Sequence, residues 1–125
     1  MKGPVVEPQP QPPLLEVAQV GGVTVARLTA PDLMAERLAQ DAGRQLARLV
    51  EGGGRLVVDF RGVKMFGTTL LSQLIALYAE ARKPGGRLAL CGLNPYPAEV
   101  LETTRLNTVF NVYPDEAEAL QSFGE

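Results

Sequence analysis

The chain contains no histidine and a single cysteine among its 125 residues. Without histidine there is no Ser-His-Asp triad, no Cys-His pair, no His-based zinc site and no phosphohistidine chemistry. Catalysis would have to run on carboxylates, lysine, tyrosine or a bound cofactor. The lone thiol, Cys91, rules out an internal disulfide. It lies in the apolar run Arg87-Leu-Ala-Leu-Cys91 and reads as a buried structural group, because a reactive thiol needs an accessible, electropositive setting. No apolar run approaches the roughly 20 residues that span a bilayer. The N-terminus, Met1-Lys-Gly-Pro-Val-Val-Glu-Pro8, lacks the apolar core of a secretory signal, so the expected compartment is the cytoplasm. One-sided charge is missing too. The formal net charge is −2, with basic and acidic residues interspersed. That offers no basic stripe for nucleic acid and no pull toward anionic lipid.

What remains suits one packed domain: 46% hydrophobic and 21% charged residues. Pro4, Pro8, Pro10, Pro12 and Pro13 mark residues 1–13 as an extended, disordered tail, leaving a domain over 14–125. Two runs rich in β-branched residues, 15–20 and 23–28, flank Gly21-Gly22 and predict a tight hairpin. Asp32 is a candidate helix N-cap, followed at helical spacing by Met34, Leu38, Ala42, Leu46, Leu49 and Val50, with the glycines at 52–54 as the stop. The short apolar runs 55–60 and 87–91 predict buried central strands. Between them, Leu70, Leu71, Leu74, Ile75, Leu77, Tyr78 and Ala81 form the apolar face of a second helix that starts at Thr68 or Thr69. Asn94-Pro95 opens a short helix over about 96–104, residues 108–113 form a last strand, and Asp115-Glu116 opens a final helix. The fold class is therefore α/β, a mixed sheet in the order β-β-α-β-α-β-α-β-α.

Other chemistry-bearing residues read as structural. Gly52-Gly53-Gly54 precedes a strand and lacks the pattern of a phosphate-binding loop. Asp59 ends a buried strand with no second carboxylate near it in sequence, Arg61 on the following loop could pair with it, and it reads as a structural or exposed acid. Glu99, Glu102, Asp115, Glu116 and Glu118 read as solvated helix faces, and Tyr78 and Tyr113 as core-edge aromatics.

The order of elements and three stretches, 56–71, 81–95 and 110–120, resemble the STAS family of anti-sigma factor antagonists over about residues 14–122. In those proteins the loop after the third strand typically reads Asp-Ser-Ser/Thr-Gly, and its first hydroxyl is phosphorylated by a cognate anti-sigma kinase. Gly67-Thr68-Thr69-Leu70 stands in that place, with Gly67 for the usual acid and Leu70 for the usual glycine. The resemblance implies a non-enzymatic, cofactor-free switch. Thr68 would be the phosphorylation site, with Thr69 next. The partner would be an anti-sigma factor, a serine/threonine kinase of the ATPase fold, and a homodimer is left open. Lys64, Met65, Phe66, Gly67, Thr68 and Thr69 would form the partner-binding loop, with Phe66 inward and Met65 outward in one reading, and both covering the core edge in the other. Lys64 and Arg61 could meet acidic groups on a partner.

The location also makes physical sense. A hydroxyl at a helix start lies beside unpaired backbone N–H groups, so a phosphate there is stabilised while a docked partner meets about two new negative charges. Two other readings stand beside this one. Thr68 or Thr69 could serve only as the N-cap, or the chain could be a non-phosphorylated STAS-like subunit of a larger assembly, such as a lipid-transport complex or a stressosome-like scaffold. A small α/β enzyme would need a titratable pair that the sequence does not offer.

Overall fold

Gly21 and Gly22 both take positive φ, 57° and 83°. This is the backbone of a two-residue turn whose twist matches a β-hairpin. The turn joins β1 (Leu15–Val20) to β2 (Val23–Leu28), paired antiparallel with Val20 opposite Val23. The computed structural model describes residues 14–51, 53–83 and 85–124, so the proline-rich stretch 1–13 lies outside the described residues. From β2 the chain passes through a two-residue strand, β3 (Asp32–Leu33), into α1 (Glu36–Arg48) and then β4 (Arg55–Asp59). A second two-residue strand, β5 (Met65–Phe66), precedes α2 (Thr68–Ala81) and β6 (Arg87–Cys91). After α3 (Pro95–Thr103) and a 3₁₀ turn (Leu106–Thr108) come β7 (Asn111–Tyr113) and α4 (Glu116–Gly124).

The main sheet runs β1-β2-β4-β6-β7, antiparallel only at β1–β2. Its central strands are apolar on both faces, as expected of strands covered on two sides. Leu56 and Val58 of β4, with Leu88 and Leu90 of β6, point into a large core under α1, α2 and α3. Val57, Ala89 and Cys91 point the other way, into a smaller cluster closed by Ala119 and Phe123 of α4. Cys91 is fully buried there, and burial pushes its thiol up to about 12.

Three boundaries differ from the sequence reading. Asp32 does not cap α1. It lies in β3, and its carboxylate accepts the Met34 N–H at 2.8 Å, while Ala35 precedes the helix. Extended pairing with Met65 outcompetes an earlier helix start. The last strand is shorter than 108–113 because Arg105 turns left-handed (φ 63°) and the 3₁₀ turn uses up Leu106–Thr108. Asn94 sits at the N-cap position of α3, with Pro95 as its first residue, yet its side chain caps nothing. It is committed elsewhere.

Candidate functional site

The site is the rim where β3, β5 and the start of α2 meet. Residues 60–67 would be a loose connection but for three ties. A tight turn closes first, with the Val63 N–H donating to the Phe60 carbonyl at 2.8 Å. The Asn94 side-chain amide then reaches across and donates to the carbonyls of Val63 (2.7 Å), Arg61 (3.0 Å) and Phe60 (3.4 Å). Finally, the N–H groups of Lys64 (2.7 Å) and Met65 (3.2 Å) donate to the Pro31 carbonyl, and β3 pairs in parallel with β5. Gly62 is needed because a Cβ there would lie 2.8 Å from the Leu28 carbonyl oxygen.

The two-residue strands alternate cleanly. Leu33 (0% exposed) and Phe66 (1%) turn inward, and Phe66 packs at 5.8 Å between ring centroids against Phe60. Met65 turns outward, and Lys64 is exposed. Phe66 thus underpins the rim and, as buried, cannot itself be a contact residue. The loop's expected surface reduces to Lys64, Met65, Gly67, Thr68 and Thr69.

The first turn of α2 is short of partners. Gly67 is the N-cap, so the reading of Thr68 or Thr69 as the cap is corrected: Thr68 and Thr69 are the first two helical residues. No side chain caps this end and no acid lies in its first turn. The first intrahelical bond is Leu71 N–H to the Gly67 carbonyl (3.2 Å). The N–H groups of Thr68, Thr69 and Leu70 therefore have no acceptor within the helix. Thr68 is exposed, Thr69 half-buried and Leu70 fully buried.

Apolar side chains are exposed near the start of α2 and along it. Met34 is 47% exposed and lies against Gly67, Leu71 is half-buried one turn into α2, and Ile75 is 48% exposed a turn further on. Sequence periodicity had assigned Met34 and Ile75 to helix core faces. Their exposure could be found only from the fold.

This architecture can be compared with known proteins. The family model for the STAS domain matches residues 15–119. The chain belongs to the STAS domain family. An anti-sigma-factor antagonist (STAS) domain protein from Planctomyces limnophilus superposes with a TM-score of 0.76 at 26% identity, covering 86% of this chain and 95% of that one. An anti-sigma factor antagonist from Mycobacterium paratuberculosis gives 0.72 at 23%, covering 89% and 93%. The antagonist SpoIIAA in its unphosphorylated form gives 0.63 at 14%, covering 89% and 97%, a likeness of fold alone. A search of curated proteins finds no match. Among the described residues, no helix of this STAS domain is long and apolar enough to cross a membrane.

A polar cluster lies at the C-terminal ends of β2 and β4, where the 60–67 loop begins, and reaches the start of α4. Glu116 is not on a solvated face, as its place in a short acidic helix had suggested. Arg27 grips it with two hydrogen bonds, 2.6 and 2.9 Å, across 89 residues of sequence. Asp59, 2% exposed, accepts from the Arg61 N–H (2.8 Å) and guanidinium (3.2 Å), and Arg61 also lies 3.9 Å from Glu116. The two carboxyls titrate in opposite directions. The Arg27 hydrogen bond, with that of Asp59, holds Glu116 low, at about 2. Burial, and then the shared hydrogen bond with Glu116, push Asp59 up against the opposing pull of Arg61. The fold thus assembles the carboxylate pair that sequence adjacency lacked, and arginines occupy it.

Proposed function

We propose that this STAS domain is an anti-sigma factor antagonist, switched by phosphorylation of Thr68 at the start of α2. Its partner on this reading is an anti-sigma factor that is also a serine/threonine kinase of the ATPase fold, which supplies ATP and the chemistry. The domain supplies an acceptor hydroxyl and a docking surface and acts as no enzyme itself. The observation that carries the reading is an exposed hydroxyl at an uncapped helix start, with exposed Met34 against the N-cap Gly67 and exposed Met65 two residues before it. Met34, Met65, Leu71 and Ile75 give a partner apolar area to cover. Methionine suits such a surface because it adapts its shape.

A phosphate on Thr68 would sit beside unpaired N–H groups at the positive end of the α2 dipole, so the domain itself would accept it. A partner closed over the same spot would have to desolvate about two negative charges. Modification therefore acts on binding and leaves the fold intact. The Planctomyces relative, at 26% identity, is described as an anti-sigma-factor antagonist, which fits this reading.

A second reading is a STAS subunit that docks constitutively in a larger assembly. It is favoured by Leu70, which stands where the antagonists usually have glycine and is fully buried, so that it serves the core.

The experiment is co-expression with the cognate kinase, intact-mass and peptide mass spectrometry, and binding assays on two variants. Phosphate on Thr68, binding kept by Thr68→Ala and lost by Thr68→Glu are the expected results. An unmodified chain at Thr68, Thr69 and Ser72, together with full binding by Thr68→Glu, would transfer the case to the constitutive subunit.

A further inference from the structure

The two faces of the sheet are covered unequally. Three helices seal one face over a large apolar core, whereas among the described residues α4 is the one helix over the other. At nine residues α4 is too short to hold its own helical structure in water, where about 12–15 are needed. Its buried apolar contribution is small: Ala119 and Phe123, with Leu120 partly buried.

Most of the rest of its attachment is polar: besides Asp59 and Arg61 beside Glu116, one arginine on each of three neighbouring strands holds it. At the N-terminal end, Arg27 of β2 forks onto Glu116. At the C-terminal end, Arg55 of β4 donates to the Phe123 carbonyl at 2.5 Å. Arg87 of β6 donates to the carbonyl and the hydroxyl of Ser122, both at 2.8 Å, and to the Tyr113 hydroxyl at 2.7 Å. Guanidinium groups on the last carbonyls complement the helix dipole. Such partly exposed bonds also exchange readily with water, unlike buried apolar contacts. The two apolar clusters share no residue and are separated by the sheet, so loss of α4 leaves the larger one whole.

We infer that α4 is a latch that opens as a unit while the rest of the domain stays folded. The Arg27–Glu116 fork is its catch, and opening bares the sheet face of Val25, Val57, Ala89 and Cys91. The inference does not rest on the switch reading of the α2 rim, although Arg61, which lies near Glu116, belongs to the loop that leads to that rim. It matches the general pattern in which small, polar-anchored elements open far below the cost of global unfolding.

Cys91, the only cysteine in the chain, is a ready-made reporter because it lies under α4. The experiment follows its alkylation by N-ethylmaleimide in the full chain against urea concentration. A latch gives labelling at low urea that depends only weakly on denaturant, and Glu116→Gln speeds that phase by on the order of tenfold. Leu74→Ala, in the main core under α2, lowers global stability and leaves the low-urea rate unchanged. Labelling that keeps the steep urea dependence of global unfolding throughout overturns the inference. So does a Leu74→Ala rate that rises in step with lost stability, or a Glu116→Gln rate equal to that of the parent. Amide hydrogen exchange in the unaltered chain gives the same decision without variants: lower, urea-insensitive protection in α4 than in β4 supports the latch, and equal protection refutes it.

Discussion

Replacing Gly67 by aspartate should stabilise the domain, and the size of the gain follows from local geometry. Gly67 is the N-cap of α2 at φ −117°, ψ −163°, extended backbone that any residue adopts. The atoms nearest a Cβ built there belong to Met34, at 3.6 Å for Sδ and 3.7 Å for Cε, which is ordinary van der Waals contact. An aspartate cap improves on glycine by a few tenths of a kcal/mol, a carboxylate at the positive end of a helix adds about 0.3–1, and restricting glycine in the unfolded chain adds about 0.4–1. The sum is about 1–2 kcal/mol, or a rise in Tm of roughly 4–8 °C for a domain of this size. Thermal melts followed by circular dichroism at low and high salt check it, because only the dipole part is screened. Gly67→Ala is the control, since it restricts the unfolded chain without supplying a cap. An aspartate variant that melts no higher than the alanine variant would refute the account of α2 as a helix start short of acceptors.

Phe66→Ala removes the ring that packs against Phe60 beneath the rim and should cost about 3–5 kcal/mol in urea denaturation, far more than Met65→Ala on the outward face. Asn94→Ala strips the donor from three loop carbonyls. It should cost about 1–3 kcal/mol and, in amide exchange, raise the rates of residues 61–66 more than those of β6. The carboxyl pair sets opposing slopes in stability against pH. Glu116 contributes stability that is fully present above its ordinary value of 4.5 and lost as pH falls toward about 2. Asp59, raised above 3.8, takes up its proton in the folded chain first, so its share grows as pH falls toward that value. Urea midpoints should therefore rise on mild acidification and fall in stronger acid. Glu116→Gln should remove the acid-side fall assigned to Glu116, and an unchanged acid limb in that variant would contradict the assignment.

The hairpin, the two central strands and both long helices were legible because each carries a local signal: paired glycines, an unbroken apolar run, a helical period. Cys91 was legible for the same reason. β3 and β5 were not, since a two-residue strand has no periodicity and exists only because the Pro31 carbonyl and the Met65 backbone meet in space. The same pairing displaced Asp32 from its expected capping role and, with it, the start of α1. At the candidate site, sequence pattern located the threonines but misjudged which residue caps α2, a one-residue shift decided by the geometry of β5. It could not show Met34 beside Gly67. Nor could it place Glu116 on Arg27, because the two are far apart in sequence and neither has a local partner that betrays the pairing.

Asn94 gives the rim a listening post. Its side-chain amide is held by the same three carbonyls that shape the approach to Met65, so any movement of that segment must alter its hydrogen bonds. In an isotope-labelled sample its two amide protons should resonate away from those of solvent-facing asparagines and shift whenever something grips the loop. Occupancy could then be followed from a position that no bound molecule need touch.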